Sequence, residues 1–520
     1  MEATVTQLIP YNSACSSTLF LPVPDTNLKE LLSDVLEMSG NHPEILDSIR
    51  KDQDALGIKK KGLRQKDKAY FESKNEDLPE ILDQVEQKEA AALHLQVGRP
   101  RMDAELVLVF LVLRGYFKSL SSTESIERLR DSITILDYLQ GRGLVLPGIT
   151  TINENLNTLS NETRKQIHQA QLAQILSEGL DDFDELIIDS TSVEGNVEWP
   201  TDAGILLKLI ERLFSLGRTL SKYGVAPLRV WWLISWISTL HTLLFKINSI
   251  AGKANSKKKL KKYYRKFLKT AYKALSYLKK ELSVMKEGAA QLNVKPSHRE
   301  MLDALFEQID GDLEDGYHVL FYSENRVMNG VNLPAAEKIL AISDGDAAYI
   351  KKGPRPAKIG YKPQIGRSAN GFIPVCEVPK GNAADSKEFI PTLNASIENT
   401  KVVPSLVSVD DGYSSKANFS EAQEIGVALV SMSGSKGKRI TPESDWDSPV
   451  YLDARRNRSA VESLMFVLKY VFGLKRFRRR GLEEVRAELL EKVIAYNFCR
   501  MSYIRKLRQQ EAKVKLRQAS

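Results

Sequence analysis

Hydrophobic residues fall at three- and four-residue steps through most of the first 180 positions, the spacing of helices that bury one face. LKELLSDVLEMSG predicts a helix that stops at Gly40, and residues 79–96, around PEILDQVEQKEAAALHL, predict another. Between them, KKKGLRQKDK (59–68) follows a turn signal at Gly57 and reads as a flexible DNA-contacting segment or a solvated loop. MDAELVLVFLVLRGYF is apolar on most faces, so a buried helix is expected. SSTESIERLRDSITILDYL opens on a Ser/Thr cap and carries Ile126, Leu129, Ile133 and Leu136 at helical intervals. PGITTINENLNTLSNETRKQIHQAQLAQIL adds a turn and two more helices. Short helices on tight turns suit a helix-turn-helix-like DNA reader and an ordinary bundle equally.

At 183 the period changes. FDELIIDSTSVEG holds a short strand-type run, LIID, that ends in a carboxylate. Residues 204–320 return to helix. GILLKLIERLFSLGRTLSKYG is amphipathic, and VWWLISWISTLHTLLF (230–245) is apolar almost all round but shorter than the ~20 residues that span a bilayer, so a buried bundle helix is expected. KKKLKKYYRKFLKTAYKALSYLKKEL sets a seam of Leu260, Tyr264, Phe267, Ala271, Leu275, Leu278 and Leu282 against a face of lysines. Strand signals resume in KILAISD, AKIGYKPQIGRS and GFIPVCEVPKG, which read as antiparallel strands, and again in SLVSVDDGYSS and VALVSM, with a helix at NFSEAQEIG between the last two. From 458 the chain reads as helix to its end. The order implies a mixed sheet with flanking helices, interrupted by a long helical insertion.

Charge sharpens this outline. The 520 residues are 42% hydrophobic and 27% charged, which excludes a disordered polymer and a membrane-embedded bundle. Three cysteines, Cys15, Cys376 and Cys499, have no metal or disulfide spacing, and MEATVTQLIPYNS lacks the basic start of a signal peptide. Residues 251–280 hold twelve Lys/Arg and no acid; residues 455–520 hold eighteen Lys/Arg against six acids. Removing those two stretches from the total of +8 leaves −16 for the rest. Two basic blocks on an acidic chain point to a polyanion, because neutralising phosphates releases counterions.

Three acids occupy informative places. Asp189 ends the strand LIID, Asp410 and Asp411 end the strand LVSV, and Glu462 lies near the start of a helix. Ligands gather outside the carboxyl ends of open-sheet strands, so these elements can set three carboxylates around one cavity. Clustered oxygen donors suit Mg²⁺ or Mn²⁺, and two such ions can activate an attacking oxygen and stabilise a leaving one. Singly, an aspartate at a strand end is a turn former or helix cap. Asp202, Glu194, Asp344, Asp346 and Asp385 fit turn and cap roles ahead of supporting a site, Trp199-Pro200 a packed aromatic ahead of a stack on a displaced base, and His241 a buried histidine. SGSKGKR (433–439) lacks the GxxxxGK[ST] spacing and reads as not opening a helix, so no ATP site is expected.

Together, LIIDSTSVEGNVEWPTDAG, SLVSVDDGYSSKANFSEAQEIGVALV and RNRSAVESLMFVLKYVFGLKRFRRRG resemble the three signature blocks of DDE transposases of bacterial insertion sequences, and the long helical insertion after the first Asp is like that of the ISNCY-type elements. ISDGDAAYIKKGPRPAKIGYKPQ and GFIPVCEVPKGNAAD resemble the family's hairpin, with its Gly-Asn pair and following Asp at Gly381, Asn382 and Asp385. The resemblance covers about residues 98–503. It implies an α/β fold: an RNase H-like mixed sheet with flanking helices, a helical insertion after the first catalytic strand, and an all-α N-terminal region. It implies a catalytic and metal-binding triad of Asp189, Asp410 and Glu462, with Asp410 preferred to Asp411 on the pattern Asp, any residue, Gly, Tyr. Arg458, Glu462 and Lys469 match the family's spacing in the last block, while Arg455 stands where a Tyr is usual.

The domains expected are an N-terminal helical and linker region (1–97), a helical DNA-binding domain (98–182), an RNase H-like catalytic domain (183–203 and 321–503), the insertion (204–320) and a basic tail (504–520). The activity implied is metal-dependent strand cleavage at element ends and strand transfer into target DNA, with two Mg²⁺ or Mn²⁺ ions. Arg458, Lys469, Lys475, Arg476, Arg478, Arg479 and Arg480 would hold double-stranded DNA, at the terminal inverted repeats and in the target. A homodimeric synaptic complex, no membrane, and a bacterial, nucleoid-associated cytoplasmic location complete the expectation. The rivals are a non-catalytic DNA-binding protein on the same fold and a helical scaffold for RNA.

Overall fold

The computed structural model describes residues 28–74, 102–117, 124, 127–129, 132–199, 201–351 and 356–519. The expected helix at 79–96 and the segment 1–27 lie outside them. The chain divides into two compact units: one of Met1–Asp54, Arg101–Asn196 and Ile350–Ser520, the other of Ala55–Pro100 and Val197–Tyr349.

The first unit is built on five strands: β1 (Glu185–Ser190), β2 (Gln364–Ser368), β3 (Cys376–Glu377), β4 (Leu406–Val409) and β5 (Leu429–Met432). Their order is β3-β2-β1-β4-β5, with β1, β4 and β5 parallel and β2 antiparallel to both its neighbours, β1 and β3. This is the RNase H-like arrangement, and β1 is buried on both faces, as its unbroken run of Leu186, Ile187 and Ile188 requires. Its helices include α1 (Leu28–Asn41), α2 (Ala104–Tyr116), α3 (Asn161–Ser177), α4 (Asp385–Thr400), α5 (Lys416–Ile425), α6 (Ala460–Tyr470) and α7 (Leu482–Ala519). Phe389 and Leu393 of α4 and Ala422 of α5 close one core with Leu186, Ile188, Val407, Val409 and Val430.

The apolar α2 lies against α7, where Gly115 permits the contact: a Cβ there would stand 2.2 Å from the Glu491 carbonyl oxygen. The helices at 102–177 thus belong to the same unit as the sheet. Residues 504–519 form the end of α7. Ser132 caps a short helix, Ile133–Gln140, with its hydroxyl accepting from the Ile135 N–H, while the expected cap at 121–123 lies outside the described residues.

Several expectations change. KKKGLRQKDK lies inside the helix Pro43–Lys74, which runs through Gly57; one glycine costs a helix only about 1 kcal/mol. KILAISD forms no strand, because Ile339 and Ile342 pack on the second unit's helices instead. Lys358–Tyr361 pairs with Val193–Glu194, apart from the five-stranded sheet. The helix expected from 458 breaks between α6 and α7. SGSKGKR does form a helix, Gly434–Ile440, although it still lacks the phosphate-loop spacing.

The second unit packs the helices Asp202–Ser221, Trp231–Ile250, Lys257–Ala290 and Pro296–Glu324 around Leu206, Leu213, Phe267, Leu275, Leu278 and Val319. Asp67 accepts from the Ser297 hydroxyl and the Lys295 ammonium, and from the Ser297 N–H as well, which lowers its carboxyl pKa to about 2. Trp231–Ile250 is not buried all round: Leu233, Leu240, Leu243 and Ile247 face inward while Trp231, Trp232, Ile234 and Phe245 are exposed. His241 is likewise exposed and bonds Glu211 at 2.6 Å, and Trp199 is exposed rather than packed. Among the described residues no helix is long and apolar enough to cross a membrane.

Candidate active site

Parallel pairing sets the first two acids. Glu185, Leu186 and Ile187 of β1 stand opposite Leu406, Val407 and Ser408 of β4. Continuing that register brings Asp189 level with Asp410, on strands spaced about 4.8 Å apart. Asp189 Oδ1 accepts from the Ser190 N–H at 2.7 Å, and Asp410 Oδ1 accepts from the Gly412 N–H at 2.8 Å. The adjacent Asp411 turns away: its Oδ1 accepts from the Lys436 and Gly437 N–H groups at 2.8 and 3.1 Å, capping the helix after β5. Local hydrogen bonding therefore separates two aspartates that the chain places side by side.

The third acid comes from α6, which packs on β1 and β2 through Val461, Leu464, Val467 and Leu468. Its other face presents Glu462, Phe466 and Lys469, spaced at i, i+4 and i+7. Asp189, Asp410, Glu462, Arg458, Lys469 and Tyr470 all line one cleft of about 650 Å³. Arg458 caps the preceding helix and pairs with Glu462 at 3.6 Å. Arg455 stacks over Trp446 at 4.1 Å instead of entering the cleft.

Beneath the cleft lies a polar chain that sequence reading did not assemble. The buried Tyr413 hydroxyl donates to Gln364 Oε1, Gln364 Nε2 donates to Asp385 Oδ1 at 3.3 Å, and Lys362 pairs with Asp385 at 2.8 Å. Burial, then the charges of Asp385, Asp189 and Asp410, push the Tyr413 phenol far above its usual range, so it stays a neutral donor. A Cβ at Gly412 would stand 3.0 Å from Asp410 Oδ1 and 3.4 Å from Asp385 Oδ2, so a side chain there would press on the Asp410 carboxylate. Of these residues, Asp385 carried a sequence signal in its Gly-Asn motif and Gly412 and Tyr413 in the Asp, any residue, Gly, Tyr pattern, whereas Lys362 and Gln364 carried none.

Lys469 and Tyr470 also border a second depression of about 400 Å³ with Asn196, Lys475, Arg476 and Arg478. Phe466 and Tyr470 stack at 4.4 Å on its edge, and the Lys475 ammonium sits 3.8 Å over the Tyr470 ring. The basic run 475–480 is an irregular connector held to Glu194 by the Phe477 N–H. Lys475, Arg476, Arg478 and Arg480 are exposed, with Arg476 and Arg480 also bonding the Gly195 and Asn196 carbonyls. Arg479 points inward to Glu491 at 2.6 Å, so it belongs to the core and not to the groove.

The cleft's donors are carboxylates and the hydroxyls of Ser190, Thr191 and Ser192, an all-oxygen set that fits a hard divalent cation. Among the described residues no three His, Cys, Asp or Glu side chains are gathered tightly enough to share one ion.

Residues 331–498 match the family model of the transposase DDE domain, a stretch that contains β2 through β5, Asp410 and Glu462. No curated protein and no solved structure matches the chain.

Proposed function

Starting from a chain that carries a transposase DDE domain, we propose that it cuts DNA at the ends of a mobile element and joins the freed ends to target DNA. The observation that carries this reading is the single cleft lined by Asp189, Asp410 and Glu462 beside Arg458 and Lys469. The three carboxylates would hold two Mg²⁺ or Mn²⁺ ions, which supply charge neutralisation at the scissile phosphate and a more acidic water. Holding them requires Glu462 to leave Arg458, which frees that guanidinium for a phosphate oxygen. Lys469, Lys475, Arg476, Arg478 and Arg480 would track the DNA backbone, and the Phe466–Tyr470 pair offers a surface on which a base can stack.

The chain's own residues do positioning more than proton transfer, as phosphoryl chemistry needs. Tyr413, Gln364 and Asp385 brace the turn that carries Asp410. Joining two ends implies at least a dimer, acting at the bacterial nucleoid, and the long helical insertion is like that of ISNCY-type elements.

Asp189→Asn, Asp410→Asn and Glu462→Gln should each lower Mg²⁺-dependent strand cleavage by on the order of 10²–10³ or more while leaving DNA affinity nearly unchanged. EDTA should stop the wild-type reaction. If two of the three variants still cut, the assignment fails; if wild type binds DNA but never cuts it, the non-catalytic rival stands.

A further inference from the structure

The helix Lys257–Ala290 buries Tyr264, Phe267, Ala271, Leu275, Leu278 and Leu282 in the second unit's core. On the opposite side, Lys258, Lys262, Arg265, Lys269, Lys273 and Lys280 are exposed and fall within roughly 80° of one helical face. At ~1.5 Å per residue this stripe runs about 33 Å. No acid interrupts residues 257–280. The ion pair this helix does make with an acid among the described residues, Lys286–Asp310 at 2.6 Å, lies beyond the run.

Like charges four apart, as in Lys258–Lys262, Arg265–Lys269 and Lys269–Lys273, repel and destabilise a helix. Folding does not explain them; an anionic partner does. We propose that this stripe is a second DNA-binding surface, which lies along the phosphate backbone of a duplex for about one turn, independent of base sequence. The inference rests on DNA being the protein's substrate.

Three features favour a duplex. The array is rigid and straight, and its length matches the roughly 34–36 Å repeat of B-form DNA. Lysine ammonium groups act as point charges on phosphates and read no base edges. Single-strand surfaces interleave rings with charges, whereas the exposed Tyr272 lies at the edge of this stripe.

The test uses the full chain with Lys262, Arg265, Lys269 and Lys273 all changed to Gln, which preserves helix propensity. Binding to a duplex without element ends is measured from 50 to 200 mM salt by fluorescence anisotropy. The slope of log affinity against log salt should become shallower by about 3 to 4, near 0.9 per lost phosphate contact. Far-UV circular dichroism and the melting temperature should hold or rise. A slope change below about 1 overturns the proposal, and so does a loss confined to single-stranded DNA or to acidic lipid vesicles. The two readings fail separately: an inert Asp410→Asn variant with an unchanged slope sinks only this stripe, whereas an Asp410→Asn variant that still cuts sinks only the catalytic assignment.

Discussion

Glu491 and Glu462 both stand beside arginines in the first unit, yet their surroundings differ. Glu491 is 2% exposed and meets Arg114 at 2.5 Å, Arg164 at 2.8 Å and Arg479 at 2.6 Å. Desolvation alone would raise its pKa, but the three guanidinium groups overcome that and hold the carboxyl far below the usual range. Glu462 is 65% exposed and has Arg458 at 3.6 Å. The first carboxylate is compensated entirely by the protein and ties α2, α3 and α7 together. The second lies in a cleft with two other carboxylates, Asp189 and Asp410, where added positive charge would be welcome. Compensation, rather than acidity or position in sequence, separates a structural carboxylate from one available for chemistry.

The strongest way to break this contrast is Glu491→Gln. It leaves Arg114, Arg164 and Arg479 buried around a neutral amide and should cost about 3–5 kcal/mol in urea unfolding. Glu462→Gln should cost almost nothing by the same measurement, because an exposed pair is worth little. Equal losses would erase the distinction.

A pH titration sharpens it next. His168 is fully buried, its Nε2 2.9 Å from the Ile373 carbonyl oxygen, and desolvation lowers its pKa to about 4. The unfolded chain therefore takes up this proton first, so stability should fall as pH drops from about 6.5 to 4, by roughly 3 kcal/mol in total. His168→Gln should flatten that part of the profile; a wild-type profile already flat there would show that the ring is not held neutral.

The finest test sits on two adjacent residues. Asp411→Ala removes the cap on the Gly434–Ile440 helix and should cost about 1 kcal/mol while strand cleavage continues. Asp410→Ala should do the reverse, ending cleavage with little change in stability. Reversed outcomes would exchange the two assignments.

Much of the site was legible because its signals are local. LIID and LVSV are short apolar runs that end in acids, and the residues of α6 alternate between core and cleft at helical spacing. The basic connector was less legible. Residues 475–480 read as uniformly cationic, but Phe477 and Arg479 turn inward while their neighbours stay exposed. Arg479 is drawn in by Glu491, and Glu491 also bonds Arg114, 377 residues away in sequence. No periodicity within a ten-residue window could carry that information. The same limit explains His241 and Trp231: their helix is apolar in composition, but only the packed bundle determines which side meets a neighbour.

By itself, the order of residues determined most of the strands and helices, where the insertion interrupts the sheet, and which acids end the strands, since each follows from backbone propensity and short-range burial patterns. Tertiary structure decided the rest. Parallel pairing of β1 with β4 sets Asp189 level with Asp410, a helix N-terminus captures Asp411, and a buried carboxylate takes Arg479 out of the basic run. Each of these is a contact between groups distant in sequence, and its energy depends on desolvation and geometry that exist only once the chain has closed on itself.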